Sequence, residues 1–339
     1  MEKVVLGLSG GVDSVASAIL LKQKGYEVVA LYFDVVKGKD EERERAEKAA
    51  AMLNIPFVYK DLSKEFNAKI IQDFCTEYQN GRTPNPCIYC NPYIKWKVLK
   101  DTADEIGAKY LASGHYSRIK EVDGVFYVQR AVNLAKDQSY MLSRLGQDIL
   151  SRVIFPLGEI GDKELTRKIV QDLDLQISQG KDSQDICFIS TNYVDYLEMV
   201  GIQSKQARFI GTDKKLIAQS DKPVHCFTIG QRKGLGIALG EPCFVTKIDS
   251  ETGDVTLSTN EDDLMKEQVL INNVFKTGSL EDGKYTVKLR YAAQPAACEV
   301  INRGKYIMLS FDEPQRAPTP GQAAVIYSDD MVVGCGIIC

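Results

Sequence analysis

Residues 4–14, VVLGLSGGVDS, constrain this chain more than any other stretch. Val4, Val5, Leu6 and Leu8 form an apolar run suited to a buried parallel strand, and the pattern of 15–22 predicts a helix starting just after Asp13 and Ser14. A glycine-rich turn therefore sits where a strand meets a helix. Gly10 and Gly11 let backbone amides approach an anion closely, Ser9 and Ser14 add hydroxyl donors, and a helix N-terminus adds a favourable dipole. Such a turn suits phosphate. The same glycines would also serve a plain tight turn, as in any α/β protein, but the flanking Ser and Asp-Ser make phosphate the more specific reading.

The turn lacks the Gly-Lys-Ser/Thr ending of a P-loop and the spacing of G-x-G-x-x-G. S-G-G-V-D-S resembles instead the phosphate loop of the ATP pyrophosphatases, the PP-loop family, whose members release pyrophosphate and leave AMP on a carbonyl oxygen.

Beyond the first helix, residues 27–33 predict a second buried strand and 40–53 a charged amphipathic helix with alanines on one side. The alternation continues with a strand at 55–59, helices at 64–78 and 94–106, and a strand at 110–112. Strands alternating with helices predict an α/β fold with a doubly wound parallel sheet and the ligand at the carboxyl ends of the strands. By that rule Gly114 and His115, which follow the strand at 110–112, face the same crevice as the loop. Residues 136–142, KDQSYML, read as a polar quartet entering an apolar helix, and 157–175 as a helix with a basic face. Past Ile202 the character changes to short alternating segments, at 241–258, 284–291, 298–302, 306–311 and 323–327, which predict a β-rich region of one or two small domains. Within it, FTIGQRKGLG at 227–236 places Arg232 and Lys233 on a glycine-flanked loop, either a solvated turn or a phosphate clamp.

At 339 residues the chain has room for two or three cores, and no apolar run approaches the ~20 residues that span a bilayer. Met1 leads almost at once into the first strand, leaving no room for a targeting peptide, so the expected location is the cytoplasm, with no membrane partner. The net charge of −4 gives no global signal for nucleic acid, so any such contact falls to local basic residues, with Lys95, Lys97, Arg118, Lys136, Arg144, Arg232, Lys233 and Arg290 as candidates.

Nine cysteines, an odd number, argue against a secreted disulfide framework. Cys226, Cys243, Cys298 and Cys335 sit in strand-like apolar surroundings and read as inert, while Cys75 and Cys339 carry no motif. GRTPNPCIYCN at 81–91 is different, since it presents Cys87 and Cys90 on a proline-rich turn beside Arg82, Lys95 and Lys97, cations expected to lower the thiol pKa values. Cys-x-x-Cys by itself admits a zinc half-site, a redox pair or part of an iron–sulfur site. Cys187, in GKDSQDICFI at 180–189, follows a Lys-Asp-Ser turn and precedes an apolar run; alone it would read as a buried thiol.

With SGGVDS, GRTPNPCIYCN, ASGHYSR, KDQSY, GKDSQDICFI and TIGQRKGLGI in this order, the chain resembles the tRNA-specific 2-thiouridylases over its whole length. The resemblance implies a PP-loop domain at 1–200, a small central β-rich domain at 201–267 and a C-terminal β-barrel at 268–339. It implies replacement of O2 of the wobble uridine by sulfur in Glu, Gln and Lys tRNAs. ATP with Mg2+ would lie on Gly7, Leu8, Ser9, Gly10, Gly11, Val12, Asp13 and Ser14, with adenine near Phe33 and Gly114. The implied catalytic set is Asp13, Cys87, Cys90 and Cys187: Cys187 carries a persulfide delivered by a sulfur relay such as a cysteine desulfurase, free sulfide being the donor where iron instead carries the sulfur, and Cys90 releases the sulfur or closes a disulfide. Asn85, Pro86 and Cys87 would lie at the target base, and His115, Lys136, Asp137, Gln138, Arg232, Lys233, Arg290, Tyr291 and Gln322 would contact tRNA. Many members carry Asp where this chain has Cys87. Three cysteines, Cys87, Cys90 and Cys187, could instead ligate a four-iron four-sulfur cluster that carries the sulfur. Alternatives are another PP-loop enzyme of synthetase or amidotransferase type, which needs neither Cys90 nor Cys187, a noncatalytic tRNA or sulfur-relay scaffold, and a zinc-structured module.

Overall fold

The apolar run becomes β1 (Lys3–Gly7), whose Val4, Val5 and Leu6 are fully buried. Their side chains alternate across the sheet. Val4 and Leu6 join a core with α1 (Val12–Gln23) and α2 (Asp40–Met52), while Val5 joins the opposite core with Trp96 and Leu99. The computed structural model describes residues 1–171, 186–237 and 240–339. The turn expected at 181–183 and the end of the helix expected over 157–175 lie outside the described residues; the helix itself spans Lys163–Gln171.

β2 (Glu27–Asp34), β3 (Phe57–Asp61), β4 (Tyr110–Ser113) and β7 (Val153–Ile154) pair in parallel with β1 or with one another, in the order β3-β2-β1-β4-β7. The order reverses at β1, so the crevice between the carboxyl ends of β1 and β4 is the ligand-binding switch point of a doubly wound sheet. The glycine loop leaves β1 at that end, and Gly114 leaves β4 there. A mixed sheet, β10-β11-β8-β9, follows from β8 (Gln206–Ile210), β9 (Leu216–Pro223), β10 (Phe244–Asp249) and β11 (Asp254–Ser258). Finally β12 (Met265–Lys276), β13 (Gly283–Lys288), β14 (Ala296–Arg303), β15 (Tyr306–Arg316), β16 (Ala323–Ser328) and β17 (Met331–Ile338) form a 6-strand antiparallel barrel, closed by β12 against β17.

A hairpin of β5 (Ser117–Val122) and β6 (Val125–Arg130), between β4 and β7, leaves the parallel sheet and joins the barrel, pairing Gln129 with Met331 of β17. Arg118 fastens the same junction, donating to Asp330 at 3.1 Å and to the Arg130 carbonyl at 2.7 Å. Three local expectations change. The first helix begins at Val12, so Asp13 and Ser14 lie inside its first turn. KDQSYML forms only a short 3-10 turn at Ser139–Leu142, because Asp137 and Gln138 bond to neighbouring backbone instead of continuing a helix. Cys87–Cys90 is a helical turn, continuous with a π-helical turn at Asn91–Lys95 and the helix Trp96–Glu105. None of the described helices is long and apolar enough to cross a membrane.

Candidate active site

The phosphate loop is shaped by its hydroxyls. Ser14 Oγ donates to the Gly11 carbonyl at 2.9 Å and accepts from the Ser9 backbone N–H at 3.2 Å, while Ser9 Oγ lies 3.2 Å from Ser14 Oγ. Gly10 has a φ of +73°, and a Cβ there would meet Ala46 N and Arg45 C at 2.9 Å, so α2 excludes any side chain. Gly114 packs tightly on the other wall, though less so than Gly10: a Cβ would lie 3.1 Å from Asp13 C and Ser14 N. The loop is thus bare backbone held between α2 and the end of β4, and it runs into the first turn of α1, the end of the helix that favours an anion.

Asp13 does not stand alone. Tyr116, fully packed after the Gly-His pair, donates its hydroxyl to Asp13 Oδ1 at 2.9 Å and lies 3.1 Å from Thr166 Oγ1. Gln138 fixes Tyr116 in turn, its Oε1 accepting from Tyr116 N at 2.9 Å and its N–H donating to the Tyr116 carbonyl at 2.8 Å. Tyr116 escaped the sequence reading; its only signal was its place directly after Gly114 and His115. A hydrogen bond to a charged group contributes ~1.5–3 kcal/mol. Tyr116→Phe is therefore expected to raise the ATP concentration for half-maximal pyrophosphate release about tenfold, with little change in the thermal unfolding midpoint. An unchanged ATP dependence would remove Tyr116 from the site.

Cys87, Cys90 and Cys187 come together, although Cys187 is far from the other two in sequence. Phe188 anchors it. That ring is buried edge-on against Phe66, Phe74 and Tyr196 at 5.5, 5.3 and 5.2 Å, and Cys90, Ile186 and Ile189 pack on the same cluster. Burying such a side chain stabilises by about 1.5–3 kcal/mol. Lys39 adds a hydrogen bond to the Cys187 carbonyl at 3.2 Å. Each of Cys87 and Cys90 feels the charge of Cys187, and Lys95 acts on all three.

The expected lowering of the thiol pKa values is overturned. Burial pushes all three up, Cys90 to about 12, and outweighs the opposing charge of Lys95. The cations assumed to flank the thiols are also fewer. Arg82 turns to Glu77 at 2.8 Å and the Ile338 carbonyl, and Lys97 pairs with Asp101 on the surface, leaving Lys95. These are resting thiols, not standing thiolates. Cys187 nevertheless keeps an exposed face, whereas Cys75, Cys226, Cys243, Cys298 and Cys335 are buried, as inert thiols should be.

Lys95 also connects the thiols to the nucleotide side, since its charge adds to the burial that holds the His115 imidazole well below its usual pKa. His115 is therefore neutral. Its ring stacks on Trp96 at 6.2 Å, and its Nδ1 lies 2.6 Å from Ser113 Oγ. Asn85 caps the cysteine turn, its Oδ1 accepting from Cys87 N at 3.2 Å, with Pro86 next in the turn. Phe33, half-buried near the end of β2, packs on the Trp96 side of the sheet.

Of the residues expected at tRNA, several are committed to the protein itself. Asp137 is buried and accepts from Ala131 N, Ser139 N and Ser139 Oγ. Arg290 donates to the Ala317 carbonyl at 3.0 Å and Thr319 Oγ1 at 2.5 Å, and Gln322 to the Thr83 carbonyl at 2.8 Å. Tyr291 is 38% exposed and flanks Tyr140 at 6.0 Å, with Lys288 over its ring. Lys136 is half-buried, while Arg232 and Lys233 are exposed on a turn pinned by Gln231, which accepts from Thr228 N and donates to the Lys233 carbonyl. Among the described residues, no group of three His, Cys, Asp or Glu side chains is arranged to hold a metal ion.

Three family models match in chain order: a tRNA methyl transferase HUP domain at residues 2–191, a tRNA methyl transferase PRC-barrel domain at 195–259 and an aminomethyltransferase beta-barrel domain at 266–338. Among similar proteins, the tRNA-specific 2-thiouridylase MnmA of Lachnoclostridium phytofermentans is 39% identical over 358 residues, covering 100% of this chain and 99% of that one. MnmA 2 of Clostridium botulinum is 40% identical over 346 residues, covering 99% and 98%, and the MnmA of Pelobacter propionicus is 38% identical over 348 residues, covering 99% and 97%. A bare-backbone phosphate loop, a cysteine turn and a distant third cysteine brought to it thus occur in a chain matched end to end, and the protein belongs to the tRNA-specific 2-thiouridylase family.

Proposed function

We propose that the protein is an ATP-dependent tRNA-uridine 2-sulfurtransferase that activates O2 of the wobble uridine and replaces it with sulfur carried by Cys187. The observation that carries this is the convergence of Cys90 with Ile186, Phe188 and Ile189, the residues flanking Cys187, on one apolar cluster, in a domain whose bare-backbone loop is walled by Gly114. ATP binds along 7–14 and Gly114, with the adenine toward Phe33. The Asp13 carboxylate, braced by Tyr116, would hold Mg2+, which supplies charge neutralisation on the phosphates.

The uridine O2 attacks the α-phosphorus and pyrophosphate leaves, so that AMP sits on the base. The terminal sulfur of a Cys187 persulfide adds to C2. The Cys90 thiol, losing its proton, attacks Cys187 Sγ; the sulfur–sulfur bond breaks, its electron pair stays on the sulfur at C2, and AMP is expelled as C2=S forms. A Cys90–Cys187 disulfide remains, and an external dithiol reduces it. Splitting the substitution into activation and covalent transfer replaces one hard step by easier ones. Lys95 counters the negative charge that passes between the sulfurs.

Cys87 lies in the same turn as Cys90 and is held beside both thiols. The chemistry of three thiols suits iron, but their placement is not that of ligands, and no step is routed through a cluster. Iron analysis of anaerobically purified protein decides between the carriers. Substrate contact is assigned to Asn85, Pro86 and Cys87 at the base and to Lys136, Gln138, His115, Arg232, Lys233 and Tyr291 along the tRNA.

Incubation with ATP, Mg2+, cysteine with a cysteine desulfurase relay, and unmodified Glu, Gln or Lys tRNA is expected to yield 2-thiouridine, read by mass spectrometry of the digested nucleosides; sulfide replaces the relay only in the anaerobic, iron-reconstituted arm. Its absence under aerobic and under anaerobic, iron-reconstituted conditions would sink the proposal. ATP–pyrophosphate exchange driven by a small acid would point instead to a synthetase.

A further inference from the structure

Tyr89 lies inside the cysteine turn, between Cys87 and Cys90, and it is held from the barrel. Asn273 of β12 donates Nδ2 to the Tyr89 hydroxyl at 2.8 Å. Arg144 donates Nη2 to both the carbonyl and the Oδ1 of Asn273, at 2.9 and 3.0 Å, and its guanidinium sits 5.0 Å over the Tyr89 ring. Arg144 is only 7% exposed. A buried guanidinium needs compensation for its lost hydration, and here Nη2 finds it on the Asn273 oxygens and the guanidinium plane on the Tyr89 ring face, while Nη1 is left without a partner. Asn273 itself is irregular. Its φ is +45°, in the left-handed region that few residues other than glycine adopt, and it lies where the β12–β17 register shifts between Asn272 and Phe275. Such a conformation persists only where the surroundings hold it.

The other end of the same loop is also tied to the barrel. Thr83 N donates to the Pro320 carbonyl at 2.8 Å and the Thr83 carbonyl accepts from Gln322, so residues 83–89 are gripped upstream and downstream by one domain. From this geometry we infer that Arg144, Asn273 and Tyr89 form a positioning clamp by which the C-terminal barrel sets the register of Cys90 toward Cys187. The inference rests on the sulfurtransferase reading for its consequence, not for its structure. The clamp governs sulfur transfer and leaves adenylation alone, because it joins the cysteine turn to β12, whereas the phosphate loop is walled by α2 and β4.

The test uses the full-length protein and two readouts. The first needs no activity: the rate of Cys90 alkylation by iodoacetamide, followed by mass spectrometry. Asn273→Ala and Tyr89→Phe are each expected to raise it about fivefold, by freeing the turn. The second is single-turnover transfer from persulfidated Cys187, expected to slow about tenfold while pyrophosphate release stays within about twofold. Asn273→Asp, which keeps the Arg144 contact and offers Tyr89 an acceptor, is expected to restore both readouts. Wild-type alkylation rates in Asn273→Ala and Tyr89→Phe would overturn the clamp, as would equal losses in transfer and pyrophosphate release. If Asn273→Ala fails to fold, Tyr89→Phe, which removes one oxygen, decides alone. A wild-type protein that makes no 2-thiouridine would refute the functional reading, while alkylation still judges the clamp.

Discussion

Cys187→Ser is expected to lower 2-thiouridine formation by at least about 10³-fold, the scale of loss when a covalent nucleophile is removed. Pyrophosphate release on adenylation should stay within about threefold, because the phosphate loop is walled by α2 and the end of β4, whereas Cys187 is anchored through Phe188 on Phe66, Phe74 and Tyr196. Serine keeps the size and the local backbone but cannot carry a persulfide. The fold should tolerate it, since Phe188 does the anchoring and Cys187 has an exposed face. The variant is therefore expected to trap adenylated tRNA, which AMP labelled in the α-phosphate would reveal. Labelled AMP on the tRNA together with normal thiolation would remove Cys187 from the chemistry, and loss of both steps would make it a structural residue. Cys75→Ser is the control: that thiol is buried within the same apolar cluster and takes no part in the steps above.

Much of the site was legible because its chemistry is written in local strings. A strand, two glycines and a serine pair declare a phosphate turn, and β1, the loop and α1 follow in that order. Alternating strands and helices likewise declared the parallel sheet, and short alternating segments the β-rich half. What was not legible depends on packing between distant segments. The thiols looked activated because cations stand near them in sequence, but only burial decides whether a charge is supported, and Arg82 and Lys97 have partners elsewhere. Asp137, Arg290 and Gln322, which the resemblance sets at the tRNA, also bond within the protein, Arg290 and Gln322 from the barrel and Asp137 in the segment after β6, and no local string announces those bonds. The β5–β6 hairpin carries no string that predicts its departure to the barrel. Nor does Asn273 show a turn motif; its φ follows from the irregular closure of β12 on β17.

Gly114→Val is expected to cut adenylation about 10²-fold, the cost of misplacing a reacting group by about an ångström, and to raise the ATP requirement with it. Its φ lies outside the left-handed region, so no backbone strain is involved and the effect is contact alone. The atoms a Cβ would meet at 3.1 Å are Asp13 C and Ser14 N, backbone of the phosphate loop, not the flexible end of a side chain. Such overpacking costs about 1–3 kcal/mol where nothing yields. On one side α1 is docked on the sheet, and on the other Tyr116 is tied to Gln138 and Thr166, so the loop is what gives way. Displacing Asp13 also breaks its bond from Tyr116. Gly114→Ala, with no branches to place, should show the same pattern at a smaller scale. Pyrophosphate release measured against ATP concentration reads the effect, and the thermal unfolding midpoint shows that the sheet persists. A Gly114→Val protein with wild-type adenylation would mean that ATP does not depend on this wall of the loop. The sulfur steps offer the converse check: when adenylated tRNA is supplied to the variant, transfer from Cys187 should proceed normally, because the thiols are held by Phe188 and the helix turn, not by Gly114.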